Sequence, residues 1–434
     1  MSDPELIRPA AFEVKQPNRP KLLEILGPGL ITGASDDDPS GIATYSQAGA
    51  QFGYAIGWTM LFTYPLMCAI QLISAQIGRV TGRGIAGNMR RHMPAWMLYG
   101  IVALLLGANT INIGADLGAM AAALKLLVPI PMAAGVAAFT IVSVLLQIFV
   151  RYARYVSVLK WLTLSLFAYV AAVFIVGVPW SHAISGILLP RMKFSSDYLT
   201  VIVAVLGTTI SPYLFFWQAG EEVEKEKEDD EAQPLKNAPE QAPAEMTRIR
   251  VDTYLGMALS NIVALAIIIT TAATLHAHGI TNIATSSQAA QALKPIAGPF
   301  AFAIFAIGII GTGMLSIPVM ADSAAYAMGE AFQWPVGLAM KAKRAKAFYG
   351  TITAAFILGA LLNFSPLDPI KALFWSAVVN GVVAVPVMVM MMILASRKRV
   401  MGEFILRPVL KVFGWLATGA MALAAMGMFA TIQW

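Results

Sequence analysis

The chain has 434 residues, of which 58% are hydrophobic and only 12% are charged. Soluble domains carry roughly 25% charged residues, so this composition excludes an ordinary soluble protein and indicates a polytopic membrane protein. The formal charge of +6 does not indicate nucleic-acid binding, because Lys and Arg mark the cytoplasmic loops of membrane proteins. The single cysteine excludes an internal disulfide, and the sequence shows no nucleophile with a matching base that would indicate an enzyme.

A polar segment at residues 1–23 is followed by a region, 24–434, that we predict to be one transmembrane domain. About eleven apolar segments in it approach the roughly 20 residues that a spanning helix needs. Basic residues concentrate in alternate loops, which predicts a cytoplasmic N-terminus and a periplasmic or extracellular C-terminus in the inner membrane. The predicted segments lie near 24–50, 54–78, 95–125, 130–150, 155–178, 197–219, 251–275, 297–328, 347–364, 369–395 and 409–432.

The first apolar segment contains three consecutive carboxylates, Asp36, Asp37 and Asp38, followed by Pro39. An ionisable residue at membrane depth is costly and is by default a functional-site hypothesis. Proline disfavours helix in the residue before it, so the segment is predicted to be a broken helix. The break frees carbonyl oxygens beside Asp38, and a carboxylate with backbone carbonyls suits a hard cation. We therefore predict that Asp38 binds a cation.

Asp36 and Asp37 have two open interpretations. Successive helical residues point about 100° apart, so at most one of them is expected to share an ion with Asp38. In the alternative interpretation, both are balanced by helix dipoles or by a buried Arg or Lys.

The sixth segment carries a second interruption at residues 206–213, which contain Gly207 and Pro212. A lone intramembrane proline is usually only a kink. Interrupted helices in corresponding positions of two halves, however, are a sequence indicator of a transporter binding site. Because the two interrupted segments are five apart, the pattern predicts two inverted five-helix repeats followed by one extra helix.

The hydrophilic insertion at residues 219–247 is rich in Glu and Asp and then in Pro, Ala and Gln. Such composition is typical of a solvated linker, here cytoplasmic and between the sixth and seventh helices. A cation-sensing element is the alternative.

Several motifs together resemble the Nramp family of divalent-metal transporters over most of the chain. They lie at residues 27–28, 38–44, 47–54, 71–82, 115–117 and 250–252. The resemblance implies an all-α LeuT-type fold with helices 1 and 6 broken, and transport by alternating access. It also implies a metal ion as substrate rather than cofactor, a lipid bilayer around the protein, and a monomer or weak oligomer.

The departures from the family pattern concern the ligands. The family motif Asp-Pro-Gly-Asn becomes Asp-Pro-Ser-Gly at 38–41, so Gly41 replaces the asparagine ligand. Met-Pro-His becomes Ser-Pro-Tyr at 211–213, so Ser211 replaces the metal-binding methionine and Tyr213 the histidine associated with proton movement.

The third and tenth segments depart in a similar way. Asp116 keeps the family's acidic position, whereas Asn109 and Ala119 stand where two glutamates are associated with proton movement. Asn380 lies two residues from the expected position of a glutamine ligand.

Losing the thioether removes the preference for soft metals and leaves an all-oxygen site suited to Mg²⁺ and Mn²⁺. The sequence thus resembles the Nramp-related magnesium transporters and predicts transport without obligatory proton coupling. The alternatives are a proton-coupled Mn²⁺/Fe²⁺ transporter of the usual Nramp type, a sodium-coupled amino-acid carrier on the same fold, and a membrane receptor without transport. The predicted ligands are Asp38, Ser35, Ser40, Gly41, Thr208 and Ser211, with Asp37, Asp116, Tyr213 and Asn380 as candidates for proton transfer or indirect support.

Overall fold

A computed structural model describes residues 28–150, 166–338, 340–364 and 368–431. Within these ranges the regular structure is helical, and no strand is present. The predicted N-terminal segment 1–23 lies outside the described residues.

The helices follow the predicted apolar segments in chain order. They are α1 (Pro28–Asp36), α2 (Pro39–Phe52), α3 (Trp58–Thr81), α4 (Ile85–His92), α5 (Ala95–Lys125), α6 (Met132–Phe149), α7 (Phe167–Ile175), α8 (Trp180–Leu188), α9 (Ser196–Thr209), α10 (Pro212–Glu228), α11 (Ala242–Thr274), α12 (Ser286–Gln291), α13 (Lys294–Ala297), α14 (Ala301–Phe332), α15 (Lys346–Leu362), α16 (Pro369–Ala395), α17 (Lys398–Met401) and α18 (Pro408–Thr431).

The first apolar segment is broken as predicted. Helix α1 ends at Asp36 and α2 begins at Pro39. Asp38 has φ −66° and ψ 170°, an extended conformation, and caps the new helix. Proline suits the first position of a helix, because its missing N–H would have no partner there.

The second predicted break is also confirmed. Helix α9 ends at Thr209, and α10 begins at Pro212. Between them Ile210 has φ −125° and ψ 60°, and Ser211 has φ −79° and ψ 130°. Both breaks therefore separate a short helix from one that starts at proline.

The two broken helices lie at the centre of the bundle. Helix α1 packs against α10, α11 and α14, and α2 packs against α9, α11 and α16. Close approach is made possible by glycine. A methyl group at Gly207 would collide with the carbonyl of Ala377 and the backbone of Gly381, so α9 and α16 touch through their backbones there.

Eight helical stretches of the described residues are long and apolar enough to cross a membrane. This number is smaller than the predicted count of about eleven segments, because some of the predicted segments do not form one long helix in the described residues. The halves of the first helix have 9 and 14 residues, and α15 has 17, so each is shorter than the roughly 20 residues of a full span. Part of the fifth predicted segment falls outside the described residues.

The predicted linker at 219–247 is shorter in the structure. Helix α10 continues to Glu228 and α11 begins at Ala242. Glu222 is fully buried and pairs with Arg248. Residues 219–228 and 242–247 of the predicted linker are thus helical, with Glu222 buried beside a distant arginine, whereas Lys227, Glu228 and Thr247 are exposed.

Candidate functional site

Asp38 is held by the start of α2. Its Oδ1 accepts hydrogen bonds from the Gly41 N–H at 2.6 Å and from the Ser40 hydroxyl at 2.6 Å. An aspartate in this position satisfies a free N–H of the first turn and lies at the positive end of the helix dipole. Ser40 and Gly41, both predicted as ligands, thus orient Asp38 in this structure.

The second carboxylate oxygen of Asp38 is held more loosely. Asp38 Oδ2 lies 3.3 Å from Asn112 Nδ2 and 3.4 Å from the Tyr213 hydroxyl. The same Tyr213 hydroxyl lies 3.0 Å from the Ser35 carbonyl oxygen. All these donors are neutral, so one tightly held oxygen fixes the side chain and the other remains available to a cation.

Asn112 is a site residue that the sequence analysis missed. It comes from α5 and is fully buried. A signal was available, because Asn112 precedes the predicted residue Asp116 by four positions and side chains at this spacing lie on one helix face.

The two broken helices approach each other closely at Gly41, where oxygen atoms surround the glycine. A Cβ on Gly41 would lie 3.0 Å from Thr208 Oγ1, 3.2 Å from the Asp36 carbonyl oxygen and 3.4 Å from Asp38 Oδ1. Three oxygens from α1, the α1–α2 break and α9 therefore converge on a position that any other residue would fill.

Several buried polar atoms of the predicted site residues and of Asn112 have no hydrogen-bond partner among the described residues. Such atoms are rare in folded proteins and each is costly when left unsatisfied. They are Ser35 Oγ, Asn112 Oδ1, Asp116 Oδ1, Thr208 Oγ1 and both amide atoms of Asn380. Oxygen acceptors dominate this set, which suits a cation rather than an anion.

Ser211 and the carbonyls near the two breaks form hydrogen bonds within the protein. The Ser211 hydroxyl donates back to the carbonyls of Gly207 and Thr208, at 2.9 Å each. The Ser35 carbonyl accepts from Tyr213. The carbonyls of Ser35 and Thr208 thus each accept one hydrogen bond, and the Asp36 carbonyl oxygen is one of the atoms that adjoin Gly41.

The other acidic residues turn towards neighbouring helices. Asp36 Oδ2 and Asp37 Oδ1 both accept from the Ser260 hydroxyl of α11, at 2.7 and 3.2 Å. Asp116 Oδ2 accepts from Ser316 of α14 at 3.3 Å. Of the partners predicted for Asp36 and Asp37, no Arg or Lys is found among their hydrogen bonds in the described part of the chain, and both instead contact the Ser260 hydroxyl.

Asn380 lies at the level of the other site residues, next to Gly381, which packs on α9 at Gly207. Asp38 and Asn380 are each 1% exposed, and Asp116 and Tyr213 are fully buried. The site is therefore closed to both sides. In the described part of the chain no three His, Cys, Asp or Glu side chains are grouped to hold a metal, so any ion here would be bound by one carboxylate with neutral oxygens.

Comparisons with known proteins agree with this architecture. The family model described as natural resistance-associated macrophage protein-like (Nramp) matches residues 29–431. A divalent metal cation transporter, MntH, of Aeromonas hydrophila is 26% identical over 407 residues, covering 92% of this chain and 94% of the relative. The MntH of Burkholderia ambifaria is 26% identical over 431 residues, covering 98% of this chain and 92% of the relative.

Solved structures show the same fold. The manganese transporter of Eremococcus coleocola superposes with a TM-score of 0.71 at 17% identity, covering 94% of this chain and 86% of that one. Mhp1, a nucleobase-cation-symport-1 family transporter, gives 0.57 at 14% identity over 94% and 92% of the two chains. The predicted all-helical LeuT-type fold is thereby confirmed.

Proposed function

This chain belongs to the Nramp family, and from that membership we propose that it carries divalent metal cations across the membrane by alternating access. The two MntH relatives are named divalent metal cation transporters, and the Eremococcus protein is a manganese transporter. All three are transporters and not enzymes. The ion is accordingly a substrate of this protein, a multi-pass membrane protein, and the arginine-rich loops support an N-terminus in the cytoplasm.

The observation that carries the proposal is the uncompensated charge of Asp38. The carboxylate is 1% exposed and touches only neutral donors. The ion pairs found among the described residues involve Arg79 or Arg248, and none of them includes Asp38. A buried carboxylate without a cationic partner is costly, and a bound cation would remove that cost.

The ligand chemistry favours Mg²⁺ and Mn²⁺ over softer ions. Asp38 Oδ2 is contacted by the Asn112 amide nitrogen and the Tyr213 hydroxyl, and Ser211 stands where the family is expected to have a thioether. Mg²⁺ dehydrates reluctantly and is usually held by few carboxylates with several waters.

A sodium-coupled amino-acid carrier is disfavoured by the same geometry. In such carriers the N-terminal end of a broken helix faces the substrate's carboxylate. Here the Asp38 side chain already occupies the N–H groups at the start of α2. A second carboxylate at this position would be repelled.

We expect Ser211→Met to shift the ion preference from Mg²⁺ towards Mn²⁺ and Cd²⁺. The substitution removes two hydrogen bonds to α9 carbonyls and introduces a soft sulfur ligand. In proteoliposomes, a tenfold excess of Mg²⁺ should strongly inhibit Mn²⁺ uptake by the original protein and much less by the variant. Ser396→Met, at the end of α16, is the matched control. Mn²⁺ uptake that is insensitive to Mg²⁺ in the original protein would refute the hard-ligand site.

We also expect metal entry without obligatory proton movement. Asn109, at a position associated with protons in the family, is an amide fixed by hydrogen bonds to the Met320 carbonyl and the Ser323 hydroxyl, at 2.8 and 2.7 Å. An amide cannot relay a proton in the way a carboxylate does. With an imposed membrane potential, uptake should therefore proceed without acidification of the vesicle lumen. A lumenal acidification that tracks the metal concentration would instead indicate the proton-coupled alternative.

A further inference from the structure

A second polar region lies at the end of the bundle that carries the arginine-rich loops. It is a cavity of about 450 Å³ between α4, α10 and α14. Its wall begins at Gly220, about 12 Å along α10 from Pro212, so it is separate from the Asp38 site. The charged side chains that line it are Arg83, Arg90, Arg91, Lys227, Glu224 and Glu330.

The two carboxylates of this cavity are already used by backbone donors. Glu330 accepts from the N–H groups of Gly84 and Gly87, at 2.6 and 2.9 Å. Glu224 accepts from the N–H of Leu338 at 2.6 Å. In the described part of the chain no ion pair involves any of the four basic residues. Because four basic side chains and two acidic ones line the cavity, its lining carries more positive than negative charge.

The basic residues are crowded together. Arg83 is solvent-exposed on one side, yet partial burial and the charge of Arg91 lower the pKa of its guanidinium, with Glu330 opposing the shift. Two guanidinium groups that repel one another across a cavity are stabilised when an anion lies between them.

The wall that carries these arginines is rigid. Glu330 fixes the start of α4 to α14, and a methyl group on Gly84 would lie 2.6 Å from the Glu330 carboxylate oxygens, so glycine is needed there. At the other end of α4, Arg90 donates to the carbonyl of Ala331. The backbone of α4 that carries the arginines is thus fixed to α14, which limits the ordering that ligand binding requires.

The mouth of the cavity adjoins exposed aromatic side chains. The rings of Phe332 and Trp334 stack with centroids 5.2 Å apart, and Tyr99 contacts Phe332 at 5.5 Å. Phe332 and Tyr99 are 44% and 42% exposed. Exposed aromatic residues at the ends of spanning helices are typical of the headgroup level of a bilayer.

We propose that this cavity binds a phosphate-bearing anion at the cytoplasmic surface of the protein. Arginine forks match phosphate oxygens in paired hydrogen bonds, and basic pockets between spanning helices are known to receive anionic headgroups. The phosphate could belong to an anionic lipid or to a soluble molecule. The site is independent of cation transport, because it shares no residue with the Asp38 region.

The test is a binding titration of the purified full-length protein in detergent. Phosphatidylglycerol, inorganic pyrophosphate and zwitterionic phosphatidylcholine are added separately, and thermal unfolding and native mass spectrometry report binding. We expect phosphatidylglycerol, pyrophosphate or both to raise the unfolding temperature, and phosphatidylcholine to have no effect. The doubly substituted R83Q/R91Q protein should lose at least about tenfold in affinity, because two phosphate contacts are removed.

The matched control is K343Q/R344Q, which removes the same charge from the loop after α14, away from the cavity. It should bind within about twofold of the original protein, because distant surface charges are screened. Lys227→Gln, on the opposite wall, should weaken binding and serves if R83Q/R91Q does not fold. If only phosphatidylglycerol or only pyrophosphate binds, the result shows whether the phosphate belongs to a lipid or to a soluble molecule.

Failure of both phosphatidylglycerol and pyrophosphate to bind the original protein, or equal losses in R83Q/R91Q and K343Q/R344Q, would overturn the site. Asp38→Asn should bind the anion normally, so a failure of the transport proposal would be seen separately in flux assays.

Discussion

Asp38→Asn should reduce divalent-cation uptake into proteoliposomes at least about 100-fold. Removing one charged partner from a buried pair costs about 3 kcal/mol or more, and each 1.4 kcal/mol is about a factor of ten. Asparagine caps a helix nearly as well as aspartate. The hydrogen bonds from Ser40 and Gly41 can therefore persist, and the variant should insert and unfold at nearly the original temperature.

Asp37→Asn is the matched control for this experiment. It removes a neighbouring buried carboxylate that contacts Ser260 of α11. We expect a much smaller loss of uptake than for Asp38→Asn. Uptake at the original rate in Asp38→Asn, or a loss confined to Asp37→Asn, would show that the cation-binding residue is misassigned.

Arg248→Met should destabilise the folded protein by about 3–5 kcal/mol, because it leaves a buried charge uncompensated. Arg248 pairs with the fully buried Glu222 of α10, and also with Glu245 at 3.0 Å. Glu245 in turn pairs with Arg79 of α3 at 3.1 Å. Arg248 thus joins α11 to α10 and, through Glu245, to α3. Its partner Glu222 lies in the part of α10 that is distant from the helix break.

The comparison variant is Arg250→Met, two residues further along α11. Arg250 contacts only the Met246 carbonyl and Thr247 and is exposed. Its substitution should change the free energy of unfolding by no more than about 0.5 kcal/mol. Thermal unfolding in detergent measures both effects, and adding Glu222→Gln to Arg248→Met should restore part of the loss. Equal stability of the two single variants would contradict the role of the buried pair.

Local signals in the sequence were sufficient to predict the two broken helices. Pro39 and Pro212 each fix the start of a helix and disfavour helix in the residue before. Asp38 was identifiable because a carboxylate beside such a break, at membrane depth, is too costly to be kept without a function. These features depend on neighbours in the chain, so the sequence contains them directly.

The contacts of the site depend on residues far apart in the sequence and were not predictable in this way. Nothing near Asp36 and Asp37 indicated that the Ser260 hydroxyl would donate to both of them. The role of Asn112 depends on how α5 rotates against α2. Glu222 looked like part of a solvated acidic run, because its partner Arg248 is 26 positions away.

The most direct test of the central claim is anomalous diffraction from crystals grown with Mn²⁺. The account predicts an anomalous peak at coordination distance, about 2.0–2.3 Å, from Asp38 Oδ2, with oxygen atoms as its other ligands. That peak should weaken when Mg²⁺ is added in excess. A Mn²⁺ peak elsewhere in the bundle, with none at Asp38, would contradict the account.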